Sequence, residues 1–322
     1  MIPKGLVRAL LISALIVLAA AGSLRGAVTP SISESEALNE LETIIDARDS
    51  SRLILVRKFI SDSPSPAVRA RAIGTAMLLH DEGALPLILE RLARDRDRRV
   101  RRAAALALTE FPSVLAISPL IESATQDPDP LVRAACARAI GRQNNESAGR
   151  ILISLLLGDE SYEVRMEAAQ SIGRLKLREG IEALKIAAER DREILVRLAA
   201  VRALQTFEDK NLFSFFRKEF EVAIDPDLRL ELYRGMVALN GNRQVISLGL
   251  SDRDERIRFA ALEKLIESIS RRENEKLRDD TLHLLSDMLG DEFKGIRDLA
   301  KDVLLSRGYR VRDLGVRYEL VE

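Results

Sequence analysis

The feature that most restricts what this chain can fold into is an internal repeat with a step of 32 residues. An aliphatic–arginine pair recurs as Val68-Arg69, Val100-Arg101, Val132-Arg133, Val164-Arg165, Val196-Arg197 and Leu228-Arg229. Two more copies, Ile257-Arg258 and Ile296-Arg297, follow after 29 and 39 residues. Five residues before the aliphatic position stand Asp95, Asp127, Asp159, Asp191, Asp252 and Asp291. Three before it stand Ser65, Asp97, Asp129, Ser161, Asp225 and Asp254, whose side-chain oxygens suit the free N–H groups at a helix start. Pro66, Pro130 and Pro226 come next, where a missing N–H costs a helix nothing. The pattern predicts that a helix begins at this point in each copy.

That helix keeps one register. Counting from the aliphatic residue as zero, position +4 is Ala72, Ala104, Cys136, Ala168, Ala200, Ala261 and Ala300, and position +8 is Leu108, Ile140, Ile172, Leu204, Met236, Leu265 and Leu304. Offsets of 0, 4 and 8 share one helical face. A small residue at +4 admits a neighbouring helix, and a large one at +8 fills the remaining gap. Upstream, positions −12 and −8 give a second stripe: Ile88/Leu92, Leu120/Ala124, Leu152/Leu156, Leu184/Ala188, Phe216/Phe220 and Leu284/Met288. Each repeat is therefore read as two antiparallel helices joined by an Asp-containing turn. Neither helix buries its stripe alone, so stacked neighbours must supply the core.

The residues Asp127 to Gly141, DPDPLVRAACARAIG, resemble the HEAT repeat in the short form known from phycobilisome lyases. The resemblance covers residues 51–307, about eight copies, and implies an all-α, right-handed α-solenoid. The sixth copy departs from the pattern with Ala223 at the Asp position and Leu232 at the Ala position, and the seventh carries Gly249 at −8. A bend or irregular packing is expected there. Residues 33–50 read as an N-terminal capping helix, with Ser35 to Ala47 as its body. Residues 308–322 form a C-terminal tail whose alternation of Tyr309, Val311, Val316, Tyr318 and Leu320 is strand-like.

Before the repeats, Lys4 and Arg8 precede sixteen uncharged residues, Ala9 to Leu24, ending in the small residues Ala19, Ala21, Gly22 and Ser23. This is a secretory signal pattern over residues 1–27, with a cut expected near Gly22 or Ala27. The apolar stretch is short against the ~20 residues that a spanning helix needs. The expected location is periplasmic or secreted, with an uncleaved N-terminal anchor as the alternative and the only expected membrane contact.

Chemistry is thin. One Cys and two His exclude a Cys-rich metal site and leave little for acid–base catalysis. His80 and His283 lie in the first and eighth repeats, some tens of Å apart at ~10 Å per helix layer. Of the enzymes that share this solenoid, deoxyhypusine hydroxylase relies on His-Glu pairs that this sequence lacks. Cys136 occupies a buried slot and reads as a small core residue. Phe216 and Phe220 read as core, while Phe213 and Phe215 are open to exposure. Arg94 to Arg102, RDRDRRVRR, is a candidate polyanion grip. Fifty basic and fifty acidic residues leave no net field for nucleic acid, so a solvated turn is the better reading. No cofactor is expected.

The repeated Asp and Arg residues have a structural reading first. Asp95, Arg101, Asp127, Arg133, Asp159, Arg165, Asp191 and Arg197 form a ladder in which each Arg reaches the turn Asp of its own or a neighbouring repeat. Exposed pairs of that kind contribute ~0.2–1 kcal/mol each, so they fix geometry more than they stabilise. The expected function is an exported, non-catalytic scaffold holding a protein or peptide, acidic in character, on its concave face. The alternative is a lyase-like or chaperone-like accessory protein that holds a small ligand. In proteins of this resemblance the second helices line the concave side, so Arg138, Gln170, Arg202 and Arg234 at +6 are placed in the groove. With them go Met166, Leu198, Leu230 and Phe259 at +2. Two readings of the +2 residues stand side by side: an exposed binding stripe, or packing between repeats beneath arginine stems.

Overall fold

The structure, a computed structural model, describes residues 32–143, 145–270 and 277–321. The signal pattern and its cleavage point lie outside the described residues. Among those described, no helix is long and apolar enough to cross a membrane.

The N-terminal helix α1 (Glu34–Ala47) starts with a reciprocal cap between Ser33 and Glu36 and buries Ala37, Leu41 and Ile44. Eight helix pairs follow. They are α2 (Leu53–Asp62) with α3 (Pro66–Leu78), α4 (Leu85–Arg94) with α5 (Arg98–Ala107), and α6 (Val114–Gln126) with α7 (Pro130–Ile140). Next come α8 (Glu146–Gly158) with α9 (Tyr162–Arg174), and α10 (Ile181–Arg190) with α11 (Ile194–Gln205). The last three are α12 (Leu212–Val222) with α13 (Pro226–Asn240), α14 (Arg243–Leu250) with α15 (Glu255–Ser270), and α16 (Asp279–Met288) with α17 (Lys294–Ser306). A two-stranded antiparallel hairpin, β1 (Arg310–Asp313) and β2 (Tyr318–Val321), closes the chain with Val311 opposite Leu320. The architecture is an all-α solenoid.

Second helices start where their caps say. Asp129 accepts from the N–H groups of Leu131 and Val132, Asp225 from Leu228 and Ser65 from Val68. Ser161 is an exception, because its hydroxyl donates to Glu163 rather than capping the backbone. The 0, +4 and +8 positions are buried throughout, with Ala104, Ala168, Ala200 and Cys136 all at helix contacts. Burial pushes the Cys136 thiol far up, so it stays protonated.

The second helices form the tighter layer. α9 packs closely against α7 and α11, and α3, α5 and α7 pack in the same way, while the first helices meet one another less closely. A stack with one tight and one loose layer curves toward the tight one. Gly173 shows how tight: a Cβ there would come within 2.9 Å of the Cα of Ala203 on α11. Beyond α13 the layer loosens, and α13 meets α15 over a smaller contact than α9 makes with α11. The irregular sixth and seventh copies sit at this point.

Two expected details change. In the eighth repeat the buried pair is Leu285 and Leu289, one residue beyond Leu284 and Met288, which are only partly buried. The helix ends in bonds from Leu289 to Ser286 and from Asp291 to Met288, a tighter winding than the i to i−4 bond closing α4 at Asp95. The shifted face accompanies this tighter end. Phe215 is buried against Phe216, edge to face at 5.9 Å between ring centres, and Phe213 is partly buried.

Candidate functional site

The ladder runs along the turn edge in one direction. Arg69, Arg101, Arg133, Arg165, Arg229 and Arg258 each hold the Asp of the next repeat, never their own. Arg133 is typical. Its Nε and Nη2 donate to the two oxygens of Asp159, both at 2.9 Å, while Nη1 donates to the carbonyl of Asp127 in its own turn at 3.0 Å. Asp159 Oδ1 also accepts from the Ser161 N–H at 2.9 Å, which shapes the turn. Arg133 and Asp159 side chains are only 9% and 7% exposed. The expected value of an exposed surface pair therefore does not apply. These are largely buried, bidentate bonds, strong and costly to break singly. The guanidinium of Arg165 rises in pKa through its bond to Asp191. Burial pushes Asp191 up, but the bonds from Arg165 and the Glu193 N–H outweigh it and hold the carboxylate below its ordinary range.

Arg197 breaks the series. Ala223 stands where its carboxylate would be, and Arg197 Nε donates instead to the Ala188 carbonyl at 2.9 Å.

The residues expected in the groove divide. Arg138 reaches across from α7 to Glu167 on α9, and Arg202 reaches from α11 to Glu231 on α13 at 3.1 Å. Arg234 shares Glu231, also at 3.1 Å. The two carboxylates are buried while the three guanidiniums stay about half exposed. Gln170 and Met166 are partly covered, as is Phe259. Leu198 and Leu230 are not surface residues, at 8% exposed each. The reason is geometric: α11 contacts α9, α10 and α13, so a helix packed on three sides buries most of its circumference. The signal was present in the run ILVRLAAVRALQ, which is apolar almost all round.

Sequence reasoning missed Arg142 and Arg174. Arg174 joins Arg138 at Glu167, whose Oε2 is buried without a hydrogen-bond partner and lies 3.9 Å from Arg174 Nη2, and Arg142 adds its charge beside Arg174. Burial lowers the pKa of Arg174, Glu167 raises it, and the charges of Arg142 and Arg138 lower it further. Two guanidiniums thus share one carboxylate, with a third close to Arg174.

The remaining candidates take no part in this face. His80 is exposed in a left-handed turn at φ 52°. His283 is exposed, 3.9 Å from Asp287 on its own helix. In the Arg94–Arg102 run, Arg98 holds Asp129, Arg99 holds Asp97 and Arg101 holds Asp127, so half of its cations are already engaged. Among the described residues, no three His, Cys, Asp or Glu side chains come together in a group that would hold a metal ion.

A family model for HEAT repeats matches residues 55–129 and 117–205. Among solved structures, YibA of Escherichia coli is 15% identical, with 88% of this chain and 99% of that chain aligned at a TM-score of 0.53. A chain from a Kap95:Nup1 complex is 14% identical, with 92% of this chain and 43% of that one aligned at 0.55. The CpcE–CpcF complex of phycocyanin lyase from Nostoc sp. PCC7120 is 18% identical over 89% of this chain and 97% of that one. Its TM-score of 0.35 is too low to carry an argument. A search of curated proteins finds no match. Likenesses at these identities show the fold alone.

Proposed function

The chain is a HEAT-repeat protein, and from that premise we propose that it is a non-catalytic scaffold that holds an acidic protein or peptide segment on its second-helix face. The observation that carries this reading is the imbalance of charge on that face along α7 to α13. Arg138, Arg142, Arg174, Arg202 and Arg234 outnumber the buried Glu167 and Glu231 by three, and Arg138, Arg202 and Arg234 keep about half of their side chains in solvent. Charges aligned along a concave, partly apolar wall attract a segment of opposite sign and set its register. The Kap95:Nup1 complex gives a precedent for a protein partner on this fold. Export belongs to the same reading and rests on the basic, apolar and small-residue order of the first 27 residues.

Photocrosslinking tests it. A photoreactive amino acid placed at Gln170 should give adducts with a partner in the envelope fraction, and raising the salt should suppress them. The same group at Glu122, on a first helix, should give none. Equal labelling from both positions, or adducts indifferent to salt, would count against the assigned face and its charge.

A further inference from the structure

The ladder's one internal gap has the features of a second binding position. Six arginines at the same place in the repeat hold a carboxylate from the next repeat. Arg297 is followed by the β1–β2 hairpin, and its Nη1 turns to the Asp291 and Glu292 carbonyls. Arg197 has a following repeat but finds Ala223 there, and it bonds no carboxylate among the described residues. Its Nε, which in the filled rungs grips the aspartate together with Nη2, is used by the Ala188 carbonyl.

The same turn departs from the pattern twice more. Val222 and Ile224 flank Ala223, at 68% and 86% exposed. The equivalent positions carry Arg94 and Arg96, Gln126 and Pro128, Gly158 and Glu160, or Arg190 and Arg192 in the four preceding repeats. A lost carboxylate with two gained aliphatic side chains in one turn makes an exposed apolar patch beside an unmatched cation. A depression of about 530 Å³ adjoins the same turn on its other side, at the filled Arg229–Asp252 rung; Val222, Ala223, Ile224 and Leu248 wall it with Glu221, Asp252, Arg229 and Arg253, and Arg197 does not line it. Arg229 is committed to Asp252 at 2.6 Å, while Arg253 is exposed.

We propose that this gap is a docking site for an acidic peptide, in which an Asp or Glu side chain flanked by aliphatic residues completes the broken rung with Arg197. The chemistry is set by the six filled rungs, since a guanidinium fork and a planar carboxylate match two bonds to two acceptors. Val222 and Ile224 then cover the aliphatic neighbours of that side chain. The site lies on the turn edge, apart from the second-helix face, so each reading stands or fails independently.

The test titrates the full chain with acetyl-Ile-Asp-Ile-amide and with acetyl-Ile-Asn-Ile-amide, following the methyl resonances of Val222, Ala223 and Ile224 and the Arg197 Nε–H signal by NMR. The Asp peptide should give saturable shifts at all four residues, with the Asn peptide at least about tenfold weaker. Ala223→Asp supplies the rung internally, so it should raise the melting temperature and abolish the response. Arg197→Gln should abolish the response with helicity retained. Equal affinity for the two peptides, an undiminished response in Arg197→Gln, or a lowered melting temperature in Ala223→Asp would each overturn the proposal. So would shifts with inorganic phosphate and none with the Asp peptide.

Discussion

Arg165 of the fourth repeat and Asp191 of the fifth are joined by two parallel hydrogen bonds, from Nε at 2.7 Å and from Nη2 at 2.8 Å. The same Arg165 donates through Nη1 to the carbonyls of Asp159 and Glu160, both at 3.0 Å. One side chain therefore ties its own turn to the next. Because each link runs forward, the turn edge is a chain of nearest-neighbour couplings, the arrangement that makes solenoid stability a sum of repeat and interface contributions.

Cutting one link should cost more than a surface ion pair does. Asp159→Ala leaves Arg133 largely buried without its carboxylate, and the expected loss is about 3–5 kcal/mol. Arg197→Ala removes one bond to a carbonyl and should cost about 1 kcal/mol. Urea unfolding of the two variants gives the comparison; equal losses would show that the rungs are not energetically distinct from the gap.

The ladder also shows how much the amino-acid order discloses. Asp at −5 and Arg at +1 are visible by counting, but their pairing is not, since an Arg at +1 has an Asp before it and another after it. Helix geometry decides: the second helix points its +1 side chain toward the next turn, 26 residues on in the 32-residue copies. The alanine positions Ala104, Ala168 and Ala200 were legible because a small residue repeated at one offset marks where a neighbouring helix comes close. Leu198 and Leu230 were harder, because an offset of +2 marks the outer face only if the helix has neighbours on one side. The Arg174 cluster was hidden for a different reason. It joins +6 and +10 of one repeat with +10 of the next, so no single offset contains it.

Leu198→Ser and Leu230→Ser should accordingly destabilise rather than merely weaken binding. Each trades a buried aliphatic side chain for a hydroxyl in a packed layer, with an expected cost of about 2–5 kcal/mol. Thermal melts of the single variants settle the point: unchanged melting would return both residues to the surface.

Overpacking the tight layer should be felt at once. Ala168 is fully buried on α9, which packs closely against both α7 and α11. Ala168→Leu should cost about 1–3 kcal/mol. The expected readout is a lower urea midpoint with an unchanged slope.

Acid should loosen the turn edge. Burial pushes Asp95 and Asp191 up, yet bonds from Arg69 and Arg165 and from backbone N–H groups hold both below the ordinary range. The bond from Arg99 holds Asp97 at about 2. A carboxylate with a folded-state pKa below its unfolded value favours the folded state fully above the unfolded value of about 3.9. That contribution is lost as the pH falls through the folded values. Melting temperatures should therefore hold level above about pH 5 and fall steadily between about pH 4 and pH 2. A flat profile across that interval would show that these bonds do not couple to folding.

The last prediction concerns the loosened stretch between the sixth and seventh repeats. Tyr233 is fully buried on α13, and its hydroxyl donates to the Val245 carbonyl at 3.2 Å. It fits only because position 249 is glycine: a Cβ there would lie 2.2 Å from the Tyr233 oxygen and 2.7 Å from the Cβ of Ala261. The glycine at −8 that breaks the repeat pattern is therefore the partner of an unusually large side chain at +5. Gly249→Ala should destabilise by about 1–3 kcal/mol through overpacking, despite the gain in helix propensity that Ala brings. If the tyrosine is the cause, the cost should fall when Tyr233 is first cut back to Leu. The double-mutant cycle should then show a coupling of about 0.5–3 kcal/mol, as for residues in direct contact. Additive effects would mean that Gly249 answers to the Ala261 contact, and that the stack loosens here for a reason other than this pair.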